Sequence, residues 1–155
     1  MAARMGFRRV VLGMDGSAHS RRAAAFLQRL QPPRGGRVTV VRVVEPVRVP
    51  SMPLVPGAMR AQIAGQAAAA NRNLVAAARR RVEATAVALA QAGWRARAVV
   101  RTGVPLAELL AAVRAERADV LVLGARGAGA VTHFLLGSVA EAALKHAPVE
   151  VLIVK

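Results

Sequence analysis

"ADVLVLGARGAGAVTHFLLGS", residues 118–138, decides how this chain is read. The run Ala118–Leu123 is short, continuous and apolar, the pattern of a strand buried on both faces. Four glycines follow between Gly124 and Gly137, with Arg126 among them, before a helix-forming stretch opens at Ser138. Glycine tolerates positive φ and the close approach of another backbone at an entropic cost. A cluster of glycines between strand and helix therefore marks a tight turn, a ligand, or both.

The same strand-then-helix alternation runs through the rest of the chain. Arg8–Met14 is an apolar strand bounded by Asp15-Gly16-Ser17, and Ser17 or Ser20 is placed to cap a helix over residues 18–30. Ala23, Phe26, Leu27 and Leu30 lie along one stripe of that helix, which Pro32-Pro33 and Gly35-Gly36 end. Val38–Val44 is a second strand. Residues 45–57 hold four prolines, too broken for regular structure and suited to a mobile loop. Ile63, Ala67, Ala70, Leu74, Ala78, Val82 and Leu89 keep helical spacing over 58–91, with Gly93 as the stop and Arg79-Arg80-Arg81 on the wet side. Trp94–Arg101 alternates in part, as a strand near a sheet edge does. Thr102–Pro105 turns into a helix over 106–115, with Leu109, Leu110 and Val113 inward, and Val149–Val154 is the last strand. Strands alternating with helices argue one parallel sheet covered on both faces, a three-layer doubly wound α/β fold in a single domain, 1–155. In such sheets ligands bind beyond the carboxyl ends of strands where the strand order reverses.

The 155 residues are enough to bury a core without staples, and the absence of cysteine removes disulfides and thiolate metal sites, in keeping with a reducing cytoplasm. Residues 1–9 are charged with no apolar stretch behind them, so no signal peptide is expected, and no apolar run reaches the length of a membrane span. The mean hydropathy of +0.38 reflects alanine in helices. The net charge of +15, from 23 basic and 8 acidic residues, would attract polyanions. Against nucleic acid, the cations are almost all arginines scattered through helices, and aromatic residues for base stacking make up 3%. His19, His133 and His146 fall on different elements without a further ligand at metal spacing, so no zinc site is expected. Glu141, near the start of the last helix, complements its dipole and has no adjacent nucleophile to serve.

Neither a Walker loop nor a G-x-G-x-x-G after the first strand is present. What remains is Gly124-x2-Gly127-x9-Gly137-Ser138, which opens a helix running to about His146. The unpaired N–H groups at such a helix start favour a phosphate, Ser138 adds a hydroxyl, and adjacent glycine lets an anion approach. From spacing alone, Gly127 and Gly129 could equally turn the chain, Ser138 could serve as the N-cap, and Asp15 could close an Asx turn with Gly16 and Ser17.

The spaced glycines, with their flanks, resemble the ATP-binding motif of the universal stress protein family. Val10–Ser17 (VVLGMDGS) is similar to that family's first strand and acidic turn, Gly103–Pro105 to its third-strand turn, Ala118–Gly127 to its fourth strand, and Leu135–Val154 to its last helix and strand. The resemblance implies a five-stranded sheet ordered 3-2-1-4-5 and an ATP site, with Mg²⁺, between strands one and four. By position, Gly13 and Met14 would line the adenine pocket, Asp15 would bond the ribose or adenine edge, and Val43 would meet the adenine through its backbone. Gly124, Arg126 and Gly127 would wrap ribose and phosphates, with Gly137, Ser138 and Val139 at the polyphosphate. Ala128 and Ala130 stand where relatives often carry polar or basic residues, and His133 faces water. The implied role is a nucleotide-dependent regulator of stress responses with at most slow hydrolysis and no catalytic residue. The alternatives are an efficient ATPase or nucleotidyl transferase, which needs a placed base and metal carboxylates, and a nucleotide-independent partner- or nucleic-acid-binding protein. The apolar last strand, 149–154, would pair with its mate in a homodimer.

Overall fold

The computed structural model describes residues 6–127 and 136–155. In chain order these form β1 (Arg9–Gly13), α1 (Ala18–Arg29), β2 (Arg37–Val44), α2 (Gly57–Gln91), β3 (Arg95–Thr102), α3 (Pro105–Ala115), β4 (Val120–Gly124), α4 (Ser138–His146) and β5 (Glu150–Val154). The strands make one sheet ordered β3-β2-β1-β4-β5, every pair parallel. The order reverses between β1 and β4, and both strands end there in the turns that the glycines shape.

Strand alternation divides the core into two layers, because successive side chains point to opposite faces. Val10, Leu12, Val38, Val40, Val120 and Val122 pack against Ala23, Ala24 and Leu27 of α1 and Val82, Ala86 and Leu89 of α2. Val11, Val41, Leu121 and Leu123 face the other way, onto Leu109, Leu110 and Val113 of α3 and Ala143 of α4. Burial on both faces makes β1, β2 and β4 near-continuous apolar runs, broken inside β2 by Thr39 and Arg42. The edge strand β3 instead carries Arg95, Arg97 and Arg101. Among the described residues no helix is long and apolar enough to cross a membrane.

Two expectations shift in detail. The helix α2 is 35 residues, about 52 Å at the usual rise, but its buried positions are Ala78, Val82, Ala86 and Leu89, all in its carboxyl-terminal half. The apolar stripe from Ile63 to Leu74 extends past the layer that could cover it, and Leu74 is exposed. The segment between β2 and α2 has no regular structure, yet it is tied down. Asn71 accepts the Val47 N–H at 2.7 Å and donates to its carbonyl at 3.1 Å, so one amide side chain of α2 closes a two-bond clamp on the loop.

At the amino ends of the strands, Asp119 fastens β4 to β1. Its Oδ2 accepts the N–H groups of Arg8 and Arg9, both at 2.8 Å, and its Oδ1 takes the Arg9 guanidinium at 3.2 Å. Partial burial would raise the carboxyl's pKa, but the backbone bonds from Arg9 and Arg8 and the Arg9 side chain outweigh it and hold the value below the ordinary one. A depressed folded-state pKa stabilises the fold above the unfolded-state value and gives that stability up as pH falls through the folded value. Asp119→Ala is expected to cost about 2 kcal/mol at neutral pH, the scale of hydrogen bonds to a charged group. Urea midpoints of the two chains should converge as the pH is lowered below the usual aspartate range of about 3.9.

Candidate functional site

The site begins where β1 leaves the sheet. The Met14 N–H still donates to Val41 at 2.8 Å, and the chain then turns through Asp15 and Gly16, the latter at φ +83. Asp15 Oδ1 accepts the Ser17 N–H at 2.9 Å, so the Asx turn forms. The other carboxylate oxygen faces β4's turn, since a Cβ on Gly127 would lie 2.9 Å from Asp15 Oδ2. The turn and a site role are thus compatible in one residue. Ser17 caps α1, its Oγ accepting the Ser20 N–H at 3.1 Å and donating to the Arg126 carbonyl at 3.1 Å. One hydroxyl therefore joins the β1 turn to the β4 turn.

The glycines that follow β4 have different tasks. At Gly124 a Cβ would come 2.5 Å from the His19 carbonyl carbon and 2.6 Å from the Ser20 nitrogen, so α1's backbone itself excludes any side chain. Gly137 is held against the other turn: its N–H donates to Ala125 at 2.8 Å, and a Cβ there would lie 3.0 Å from the Gly127 nitrogen. Ala125 in turn donates to the Val154 carbonyl at 2.7 Å, anchoring the turn to β5. The two ends of the 127–137 segment are thereby clasped together. The expectations for Ala128, Gly129, Ala130 and His133 lie outside the described residues.

The expected N-cap of α4 is corrected by one residue. Glu141 donates to Gly137 at 2.9 Å, so the helix's first carbonyl acceptor belongs to Gly137, and Ser138 is already helical. Gly137 has no side chain with which to cap, and the helix start carries no side-chain cap. The backbone N–H groups at this end carry partial positive charge that Gly137 itself does not answer. Glu141 is exposed and pairs with Lys145 at 2.7 Å, a bond that lowers its pKa.

These turns enclose one side of an open cavity of about 1390 Å³ at the carboxyl ends of β1, β2 and β4. Gly13, Met14, Asp15, Val43, Gly124, Arg126, Gly127, Gly137, Ser138 and Val139 all line it. Gly13 is buried at the cavity floor, where a Cβ would come 2.4 Å from Leu123 Cδ2. Other residues on its wall were not expected. Glu45 adds a second carboxylate to the wall, and Arg21, Arg42 and Arg81 add guanidinium groups. Arg81 is solvent-exposed, as its place in the run 79–81 suggests, but it faces this opening rather than open water alone. The alternation of β2, with Val41 and Val43 on one face, places Arg42 on the other, a signal available in the sequence. The approach of α2 to the β1 turn has no local signal. Among the described residues no group of three or more His, Cys, Asp or Glu side chains gathers as a metal centre requires.

A doubly wound parallel sheet with a glycine-walled cavity at its switch point defines a class of α/β protein that holds ligands at strand ends. The family model of the universal stress proteins matches residues 6–155. A universal stress protein of Thermus aquaticus, from the 3′ region of a QAH/OAS sulfhydrylase, is 34% identical over 149 residues, covering 96% of this chain and 99% of that one. This chain belongs to the universal stress protein family. Its fold is that of the hypothetical protein MJ0577, at TM-score 0.81 with 18% identity over 97% of each chain. It is also that of a universal stress protein crystallised with cAMP, at TM-score 0.63 with 21% identity over 97% of this chain and 98% of that one. An Arabidopsis thaliana family member with AMP bound matches at TM-score 0.57 with 19% identity, covering 95% and 90%.

Because the obstruction at Gly124 is main chain, Gly124→Val is expected to destabilise the fold by about 2 kcal/mol or more, the cost of overpacking where neither side can yield. A urea melt followed by circular dichroism checks this. A variant as stable as the parent would show that α1 moves aside freely.

Proposed function

We propose that the cavity binds an adenine nucleotide, ATP with Mg²⁺, and that the protein is a cytoplasmic, nucleotide-dependent regulator of stress responses. The observation that carries this reading is the convergence of both glycine turns, Asp15 and the glycine-capped start of α4 on one cavity at the switch point. A phosphate chain at Gly137–Val139 would meet backbone N–H groups and the positive end of a helix, with the Ser138 hydroxyl as a further donor. Clasped glycines leave the backbone open to close approach. Asp15 would accept from ribose hydroxyls, and the Arg126 guanidinium suits a phosphate. The adenine base would lie toward Gly13, Met14 and the Val43 backbone. The bound cAMP and AMP of two fold neighbours support an adenine nucleotide as ligand.

The donors fit this ligand. A Mg²⁺ ion would be held through phosphate oxygens and water, with Ser138 at hand, since the carboxylates on the described wall are Asp15 and Glu45. Rapid phosphoryl transfer calls for a placed base and metal carboxylates, which this wall is poor in, so occupancy with at most slow hydrolysis is the chemistry proposed. Calorimetry with ATP and Mg²⁺ tests the assignment. Gly127→Val combined with Ser138→Ala should weaken binding about a hundredfold or more, near 3 kcal/mol. Equal affinity in the double variant would refute the site.

The outer edge of β5 continues the sheet, with Val151 and Ile153 on one face and Leu152 and Val154 on the other. Among the described residues no strand pairs with that edge, and an apolar edge strand calls for a partner, so we propose antiparallel pairing with a second copy. Light scattering at micromolar concentration should return twice the 16.2 kDa of the chain. A monomer there would contradict it.

A further inference from the structure

We propose that Arg21, Arg42 and Arg81 form a second phosphate subsite, and that this protein prefers adenine nucleotides phosphorylated on the 2′ or 3′ oxygen as well as at the 5′ end. The inference rests on the reading above, in which Asp15 holds the ribose.

The three guanidinium groups come from three elements and converge on one turn. Arg21 of α1 donates to the Gly16 carbonyl at 2.5 Å, and Arg42 of β2 donates to the Met14 carbonyl at 3.3 Å. Arg81 of α2 reaches the same place, its Nη1 lying 3.1 Å from where a Cβ on Gly16 would stand. Together they bracket Asp15, and all three line the cavity. Four ion pairs form among the described residues, and none uses these three arginines. Each guanidinium carries five N–H donors, so the single bonds that Arg21 and Arg42 make to backbone carbonyls leave most of their capacity for a ligand. Three like charges drawn to one turn repel each other unless an anion joins them. Asp15 and Glu45 are the carboxylates that share the cavity wall with them among the described residues, and Asp15 already directs one oxygen to Ser17 and the other toward Gly127.

The placement selects the ligand. The helix start at Gly137–Ser138 lines the same cavity as Asp15, and Arg21 and Arg42 hold the carbonyls of the residues flanking Asp15, with Arg81 beside Gly16. A ribose whose hydroxyls meet Asp15, with its 5′ arm running to the helix start, would present its 2′ and 3′ oxygens to the turn on which Arg42 and Arg81 gather. Dinucleotide sites use the same chemistry: an acidic residue takes the ribose hydroxyls, and a nearby arginine accommodates a phosphate placed on them. Here the carboxylate and the arginines occur together, which suits a ribose with one free hydroxyl and one phosphate. Bidentate guanidinium–phosphate pairing would give the second phosphate its geometry.

Calorimetry on the full chain at constant ionic strength, with adenosine 5′-monophosphate, adenosine 3′,5′-bisphosphate and ATP, tests this. The bisphosphate should bind at least about tenfold tighter than the monophosphate. In Arg42→Gln/Arg81→Gln that advantage should fall to within about threefold, while monophosphate affinity stays within about threefold of the parent. ATP has charge similar to the bisphosphate, so loss specific to the bisphosphate separates a placed subsite from attraction by net charge. Equal binding of mono- and bisphosphate by the parent, or equal weakening of all three ligands in the variant, would overturn the proposal while the nucleotide site stands. No binding of any adenine nucleotide would overturn both readings. The parent's comparison of the three ligands needs no variant, so it decides the matter even if the double substitution unfolds.

Discussion

Main chain packed on main chain at the end of β4 is the constraint from which the rest of this structure follows. Gly124 lets α1 cross the strand end with no intervening side chain, and that crossing brings Ser17 within reach of the Arg126 carbonyl. Gly137 repeats the device one turn later, against Arg126 and Gly127, with a backbone bond to Ala125. A Cβ at either position would push apart elements whose separation sets the width of the cavity mouth. The glycines therefore shape the site in two ways: one by docking a helix behind the wall, the other by drawing the two ends of the wall together. A phosphate-binding role and a packing role are not rivals here, because the packing creates the surface that the phosphate would meet.

That division explains how the sequence could be read. The five strands and their parallel character are encoded locally, since β1, β2 and β4 are largely apolar on both faces while β3 can carry Arg95 and Arg97 at an edge, whereas the order 3-2-1-4-5 comes from the family resemblance. Element boundaries moved by a residue or two, because strand ends depend on ladder partners such as Val44 with Thr102 rather than on apolar character alone. Seven of the ten candidate residues sit at or near a strand end beside the switch point, and Gly137, Ser138 and Val139 join them because Gly137 bonds back to Ala125 just after β4. The N-cap of α4 misled by one position, since serine's preference for that place is overridden when a glycine is needed to approach Gly127. The loop after β2 looked unanchored because its partner, Asn71, lies 24 residues on, within a helix where an asparagine has no evident local purpose.

The arginines show where local reading ends. Arg21, Arg42 and Arg81 are separated by 21 and 39 positions, and nothing in their immediate neighbours predicts a meeting. They meet because α1 and α2 cover the same face of the sheet and β2 ends between them. A right-handed crossover after each strand fixes that arrangement, so the cluster is a consequence of topology acting on residues that composition alone would assign to solvent.

Electrostatics gives this consequence weight. With a net charge of +15 and four ion pairs among the described residues, most cations of the chain have no carboxylate to answer them. Spread over helix surfaces such charges repel weakly, because water and salt screen them within about 10 Å. Gathered at the end of a sheet, against low-dielectric strands, they repel more strongly and raise the potential in the opening they surround. An anion bound there would relieve repulsion between α1, β2 and α2 at the moment that it meets α4, so its free energy of binding would be shared by elements from both faces of the sheet. Any ligand taken up by the folded chain alone stabilises it in proportion to its occupancy. A cavity built at the junction of the two core layers is the place where that stabilisation would reach both.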